Sequence, residues 1–276
     1  MAEISAAEVA RLRKTTGAGM MDCKKALQEA EGDFEKAIEI IRKKGQAIAN
    51  KRADREAGEG VVLAKVSVDG KYGAMIVLNC ETDFVAKNED FVALAYRILD
   101  RAIEVRPENL DALKSTEFEG STVSEKLTEQ IGIIGEKLDI SGFESIHAEF
   151  VQAYIHTGNK LATMAGFTKA GVDQQVYKDV AMQIAAMSPV AVDKDDVPEK
   201  TRLQELEIGR EQARLEGKPE AILEKIAQGK LAKFYKESTL HNQEFIKNNK
   251  QTVKDYLVSN DKALSVTGFR RISLNK

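Results

Sequence analysis

The sequence predicts an α+β protein with three short N-terminal helices, a core of two related α+β subdomains, and an antiparallel helical hairpin ahead of the C-terminal segment. Three observations carry this. Apolar residues recur with helical spacing up to about residue 50. A period of two takes over at Val61, and a hairpin-then-helix pattern occurs twice. The stretch from Glu199 to Lys236 is laced with charge around a sparse apolar seam. With 276 residues, 43% hydrophobic and 31% charged, the chain can bury one large domain or two to three small ones.

Taken in order, Ser5 followed by Glu8 reads as a capping box, with Ile4 and Val9 as its hydrophobic staple, so a helix begins near residue 6. Gly17 and Gly19 stop it. Asp22 is placed to cap a second helix that buries Cys23, Ala26, Leu27 and Ala30, and Gly32 ends it. Asp33 caps a third, with Phe34, Ala37, Ile38 and Ile41 on one face. The glycine- and charge-rich segment that follows reads as a linker. Val62, Ala64, Val66 and Val68 then alternate along a strand, Asp69-Gly70 turns it, and the return strand Tyr72 to Cys80 puts Ala74, Ile76, Leu78 and Cys80 on one face. A helix capped by Asn88 carries Phe91, Leu94, Ala95 and Ile98 inward. Arg106-Pro107 marks a break, and Val123 to Leu138 reads as helix.

The second unit repeats the first. An alternating run from Phe143 to His156, a Thr157-Gly158-Asn159 turn and a strand to Thr168 precede a helix with Tyr177, Val180, Ala181, Ile184 and Met187 inward. In the charged hairpin, broken at Gly217-Lys218-Pro219, Leu203, Leu206 and Ala213 face Leu223, Ala227, Leu231 and Phe234. Val253 to Leu257 is helical and Ser265 to Ile272 extended. The expected parts are 1–52 for the helical domain, 53–60 for the linker, and 61–140 for the first core subdomain. The second subdomain takes 141–195 and 237–276, with 196–236 as the arm.

Composition narrows function by exclusion. A formal net charge of -3 gives no overall field toward nucleic acid or an anionic membrane. Cys23 and Cys80 have no paired spacing, which fits a reducing compartment, and the charged N-terminus and lack of a long apolar run point to the cytoplasm. No phosphate-cradling loop is present: Gly132-Ile133-Ile134-Gly135-Glu136-Lys137 is too short, so direct nucleotide binding is not expected. His147, His156 and His241 lack metal spacing, and their separation puts the first two on opposite faces if one strand holds both. No catalytic constellation, metal site or cofactor is expected, so the chain reads as an interaction protein, not an enzyme.

Two segments carry a resemblance: Leu12-Arg13 through Thr16-Gly17-Ala18-Gly19-Met20-Met21-Asp22-Cys23-Lys24-Lys25-Ala26-Leu27, and Asn79-Cys80-Glu81-Thr82-Asp83-Phe84-Val85-Ala86-Lys87-Asn88. They resemble the translation elongation factor Ts family, in the family's order and with its arrangement from end to end. The resemblance implies a ubiquitin-associated-like (UBA-like) three-helix domain, a two-part core and an inserted coiled-coil arm. It implies elongation factor Tu as partner and guanine-nucleotide exchange as activity. Carried over by position, Arg13, Met20, Met21 and Lys24 face the partner's nucleotide domain. Thr82, Asp83, Phe84 and Val85 form the element that disturbs its magnesium site, and His156 and Ile246 meet another partner domain. Lys247 stands where the family has an apolar contact. By composition alone Phe84 is a core residue at a strand-to-helix junction; the resemblance turns it outward. The runner-up is a UBA-type adaptor that binds another polypeptide. Self-association through the core or the arm is left open.

Overall fold

A computed structural model describes residues 4–274. Ser5 starts α1 (Ala6–Thr16) with a reciprocal box: its hydroxyl accepts from the Glu8 amide at 3.2 Å, and the Glu8 carboxylate accepts from the Ser5 amide at 2.8 Å. Two donors that a helix start leaves unpaired are thereby satisfied. Gly17 ends α1 at φ +72°, a conformation glycine reaches without a Cβ clash. The cap of α2 (Met20–Glu29) is Gly19, not Asp22 as the sequence predicts. Asp22 lies within the first turn, where a carboxylate suits the helix's positive end, and it pairs with Lys44. Asp33 does cap α3 (Phe34–Arg52), accepting from the Lys36 amide at 3.0 Å. Val9, Leu12, Cys23, Ala26, Leu27 and Ala37 make a small core with Ile4, Phe34, Ile38 and Ile41 packed against it.

β1 (Glu59–Val66) and β2 (Tyr72–Cys80) form the expected hairpin, but Val68 falls past the end of β1 and is fully exposed. All nine residues of β2 are buried, where alternation predicts one buried face. The strand is central in a sheet of order β1-β2-β5, and a central strand covered on both sides reads as a continuous apolar run. A single turn, α4 (Asp83–Ala86), leads into α5 (Glu89–Val105), whose Asn88 cap accepts from the Asp90 and Phe91 amides. Phe91, Leu94, Ala95 and Ile98 are buried as expected. After the left-handed Arg106 come α6 (Leu110–Ser115) and a short hairpin of β3 (Glu117–Phe118) and β4 (Ser121–Thr122). α7 (Val123–Ile134) stops four residues before Leu138 because Gly135 turns left-handed at φ +81°.

The alternating run from Phe143 to His156 is two strands, β5 (Asp139–His147) and β6 (Phe150–Ile155), which enter different sheets. The amides of Ala148 and Val151 donate to the Lys71 and Gly70 carbonyls at 3.0 and 2.7 Å, which pins the break between them. β6 pairs with β7 (Leu161–Phe167), with Ala153 opposite Met164. α8 (Gln174–Met187) buries Tyr177, Val180, Ala181 and Ile184, whereas Met187 at its last turn is exposed.

α9 (Glu199–Leu215) and α10 (Leu223–Ser238) pack as a helical hairpin around Leu206, Ala227 and Leu231. Leu203 is half exposed and falls off that seam. β8 (Glu244–Phe245), β9 (Asn248–Thr252) and α11 (Val253–Asn260) follow, and β10 (Val266–Ser273) completes the sheet of order β10-β7-β6. Phe167, Tyr177, Val180, Leu240, Phe245 and Leu257 are among its core.

The chain divides into two compact units, one of residues up to Leu63 with Ile76–Glu144, the other of Ala64–Met75 with the residues from Ser145 onward. Within the first, α3 crosses α7 with the two backbones touching. A Cβ placed on Gly132 would lie 2.6 Å from the Gly45 Cα. Alanine at 132 gains about 1 kcal/mol of helix propensity, but overpacking against rigid backbone costs about 1–3 kcal/mol or more. The overlap here is severe, so Gly132→Ala lowers stability on balance. Urea denaturation monitored by circular dichroism reads the loss; a variant as stable as the parent would mean that the two helices separate without cost.

Candidate functional site

The candidate site in the first unit is an exposed turn held from below. Phe84 is 83% exposed, an unusual state for a large apolar side chain. The turn beneath it is ordered by its own sequence. The Thr82 hydroxyl caps α4 by accepting from the Val85 amide at 3.4 Å, and Asn88 restarts the helix six residues on. Asp83 stands beside Phe84 on the outside, with Lys87 donating to its carboxylate at 2.6 Å one helical turn away. Both are surface groups. The pair raises the Lys87 ammonium above its ordinary range, chiefly through that hydrogen bond. Val85 is half-buried and Ala86 buried, so α4 shows one apolar ring to solvent and keeps the rest on the fold.

Behind the turn lies a cluster of charged groups for which sequence reasoning had no role. The Glu136 carboxylate accepts from the Glu81 amide at 3.1 Å, the Thr82 amide at 3.0 Å and the Thr82 hydroxyl at 2.7 Å. Glu81 faces Arg52, one of whose guanidinium nitrogens donates to both its oxygens at 2.8 and 2.9 Å, and it accepts from the Lys137 amide at 2.6 Å. The Lys137 amide, followed by Arg52, holds the Glu81 carboxyl below the usual carboxylate range against an opposing effect of burial. The Cys80 thiol donates to the Thr82 carbonyl at 3.1 Å. Glu81 lies inside the second quoted motif and Glu136 directly after Gly135, but spacing alone gives no sign that they meet.

Arg13, Met20, Met21 and Lys24 are all exposed on α1 and α2, with Met20 45% and Met21 64% open. The two methionines are neighbours in water, and soft side chains of this kind suit a contact surface. The α1–α2 turn sits against α7: a Cβ on Gly17 would lie 3.2 Å from Ile133 Cδ1. Gly17, Val85, Phe91, Ile133 and Ile134 border one depression of about 500 Å³, so the N-terminal segment and the exposed turn share an edge.

His156 and Ile246 belong to the second unit. His156 is exposed just past β6, with its Nδ1 2.9 Å from the Tyr154 hydroxyl. It shares no strand with His147, because the chain breaks between β5 and β6. Ile246 is 44% exposed between β8 and β9, its amide donating to Gln183 at 2.9 Å. Lys247 turns back to the buried Asp179 at 2.7 Å, and Asp179 also accepts from the Tyr256 hydroxyl at 3.0 Å and the Gln175 amide group at 2.6 Å. Burial and that bond push the Tyr256 hydroxyl far above its normal range. No cluster of metal-ligating side chains occurs among the described residues, nor any helix long and apolar enough to cross a membrane.

Fold and site together define a mixed α+β protein with an exposed aromatic turn and an exposed methionine pair. Comparison with known proteins gives that class its place. A family profile described as Elongation factor TS matches residues 81–276. A protein named Elongation factor Ts from Christiangramia forsetii is 52% identical over 276 residues, covering 99% of this chain and all of its own. Proteins of the same name from Amoebophilus asiaticus and Porphyromonas gingivalis are 52% and 51% identical, over 98% and 97% of both chains. The chain belongs to the elongation factor Ts family, the guanine-nucleotide exchange factors that act on elongation factor Tu in translation.

The depressed Glu81 carboxyl fixes a pH dependence. Its bonds to Arg52 and the Lys137 amide contribute stability above the unfolded glutamate value of about 4.3, and that contribution is lost as pH falls through the lower native value. Glu81→Gln is therefore less stable than the parent at neutral pH, and the difference shrinks toward pH 3. Parallel urea titrations at both pH values check this; a pH-independent difference would assign the effect to packing.

Proposed function

We propose that the chain promotes GDP release from elongation factor Tu by inserting Asp83 and Phe84 near the partner's magnesium site, with Thr82 and Val85 as the frame of that element. The observation that carries this is an aromatic ring held in water on a capped turn. Arg13, Met20, Met21 and Lys24 anchor the partner's nucleotide domain, and His156 and Ile246 meet a second domain. The N-terminal helices act as a UBA-like module and the α9–α10 hairpin as a coiled-coil arm, in the cytoplasm. The segments 1–52, 61–140, 141–195 with 237–276, and 196–236 serve as the working parts, joined at 53–60.

Magnitudes decide how many contacts are needed. Nanomolar retention of GDP corresponds to about 12 kcal/mol. A ten-thousandfold faster release requires a barrier lowered by roughly 5.5 kcal/mol. Burying one Phe ring contributes about 1.5–3 kcal/mol, so the ring alone is insufficient and separate anchors supply the rest. The Asp83 carboxylate enters with the ring and competes for the water shell of the magnesium ion, loosening what holds the phosphates. No covalent bond changes, and linkage requires that GDP weaken the factor's grip by the same ratio in which the factor weakens GDP's.

Stopped-flow release of fluorescent GDP from elongation factor Tu tests both parts. Phe84→Ala lowers the limiting rate by about tenfold or more, as loss of about 1.5–3 kcal/mol implies; a variant with the full rate would sink the insertion reading. Met20→Ala with Met21→Ala instead raises the half-saturating concentration of factor and leaves the limiting rate near that of the parent. A reversed pattern would exchange the roles assigned to the two surfaces.

A further inference from the structure

The groups that shape the Asp83–Phe84 turn lie outside it, at or just past the ends of two other helices. Glu136 follows the left-handed residue that closes α7, and both its oxygens are used: one takes the amides of residues 81 and 82, the other the Thr82 hydroxyl. That hydroxyl is also the cap of α4, so the carboxylate fixes the residue that fixes the turn. Glu81 points the other way, to Arg52 at the last position of α3 and to the Lys137 amide. The Lys137 ammonium donates to the Ala53 and Arg55 carbonyls at 2.7 and 2.9 Å, so the end of α3 and the exit of α7 close on each other around residues 81–82. Without these bonds nothing fixes the backbone of residues 81 and 82, and the ring that follows them is free to leave its projecting position. The depression alongside is bordered by Asn88, Asp90 and Arg97 as well as Val85, Phe91 and Ile133, so it offers the ring no apolar seat of its own.

We infer that Glu136 and Glu81 are positioning residues for nucleotide exchange, holding the Thr82–Val85 turn in its projecting form before the partner arrives. The inference rests on the reading that Phe84 enters the partner. A pre-formed turn spares the insertion step the ordering of its backbone, which slows such a step roughly fivefold or more for each residue left to be fixed. Neither carboxylate touches the partner: Glu136 acts through Thr82, and Glu81 by tying its own backbone to Arg52 and the Lys137 amide.

The test combines kinetics with amide hydrogen exchange on the full-length chain. Glu136→Ala lowers the limiting rate of GDP release by about tenfold or more, as displacement of a reacting element does, while the half-saturating concentration moves little because Met20, Met21 and Lys24 are untouched. The amides of residues 81 and 82 lose protection in the same variant. Glu136→Gln restores most of both, since its amide oxygen accepts the two backbone bonds. Should Glu136→Ala fold poorly, Thr82→Val removes the hydroxyl alone and moves the limiting rate in the same direction. Combined with Phe84→Ala, Glu136→Ala adds less than its loss in the parent, because part of what it positions, the ring, is already gone and only Asp83 is left to misplace. A normal limiting rate in Glu136→Ala, or additive losses in the double variant, overturns the proposal. Full activity in Phe84→Ala by itself would defeat the insertion reading and the proposal with it, while the amide exchange would still report whether the bonds hold the turn.

Discussion

The structure depends on one carboxylate accepting three hydrogen bonds from two consecutive residues. An exposed phenyl ring gains by leaving water, and a backbone with little freedom to follow holds it out. Glu136 removes that freedom at Glu81 and Thr82, and Glu81 passes the restraint to Arg52 and Lys137. Bonds to ionised groups are about twice as strong as neutral ones, which suits them to a task a few van der Waals contacts could not perform. The close crossing of α3 and α7 at Gly45 and Gly132 serves the same end, because Arg52 ends α3 and Glu136 and Lys137 follow the end of α7.

Much of this fold was legible from residue order. Capping chemistry is local, so Ser5, Asp33 and Asn88 announced their helices, Gly17 announced a stop, and Pro107 announced the break at Arg106, though Arg106 turns left-handed rather than extended. Failures came where tertiary context overrules local signals. Asp22 has a capping side chain, but Gly19 already has the extended backbone that a cap needs, leaving Asp22 to pair with Lys44. β2 lost its alternation because a central strand is covered on both faces, and the run through Ala148 looked continuous because a break between two strands of like period leaves no mark. At the site, the motif around Phe84 was readable and the outward ring agrees with the resemblance. Glu136 was not, since it lies 54 residues from Thr82 and its meaning exists only once α7 has folded.

The two units carry different kinds of polar chemistry. Around Phe84, charged groups serve backbone geometry; around Asp179 they satisfy a carboxylate that is almost wholly enclosed. Lys247, Tyr256 and Gln175 converge on Asp179, and a buried charge left without partners would be costly. The Lys247 ammonium is thus committed inward, while its neighbour Ile246 stays exposed.

With most of its ring open to water, Phe84 is nearly invisible to the stability of its own chain. Replacement at this position would leave folding, solubility and abundance much as they were, so quality control in the cell has little by which to recognise a defective copy. On the proposed insertion, selection on position 84 comes through another gene's product, and this residue and the surface proposed to receive it evolve as a pair.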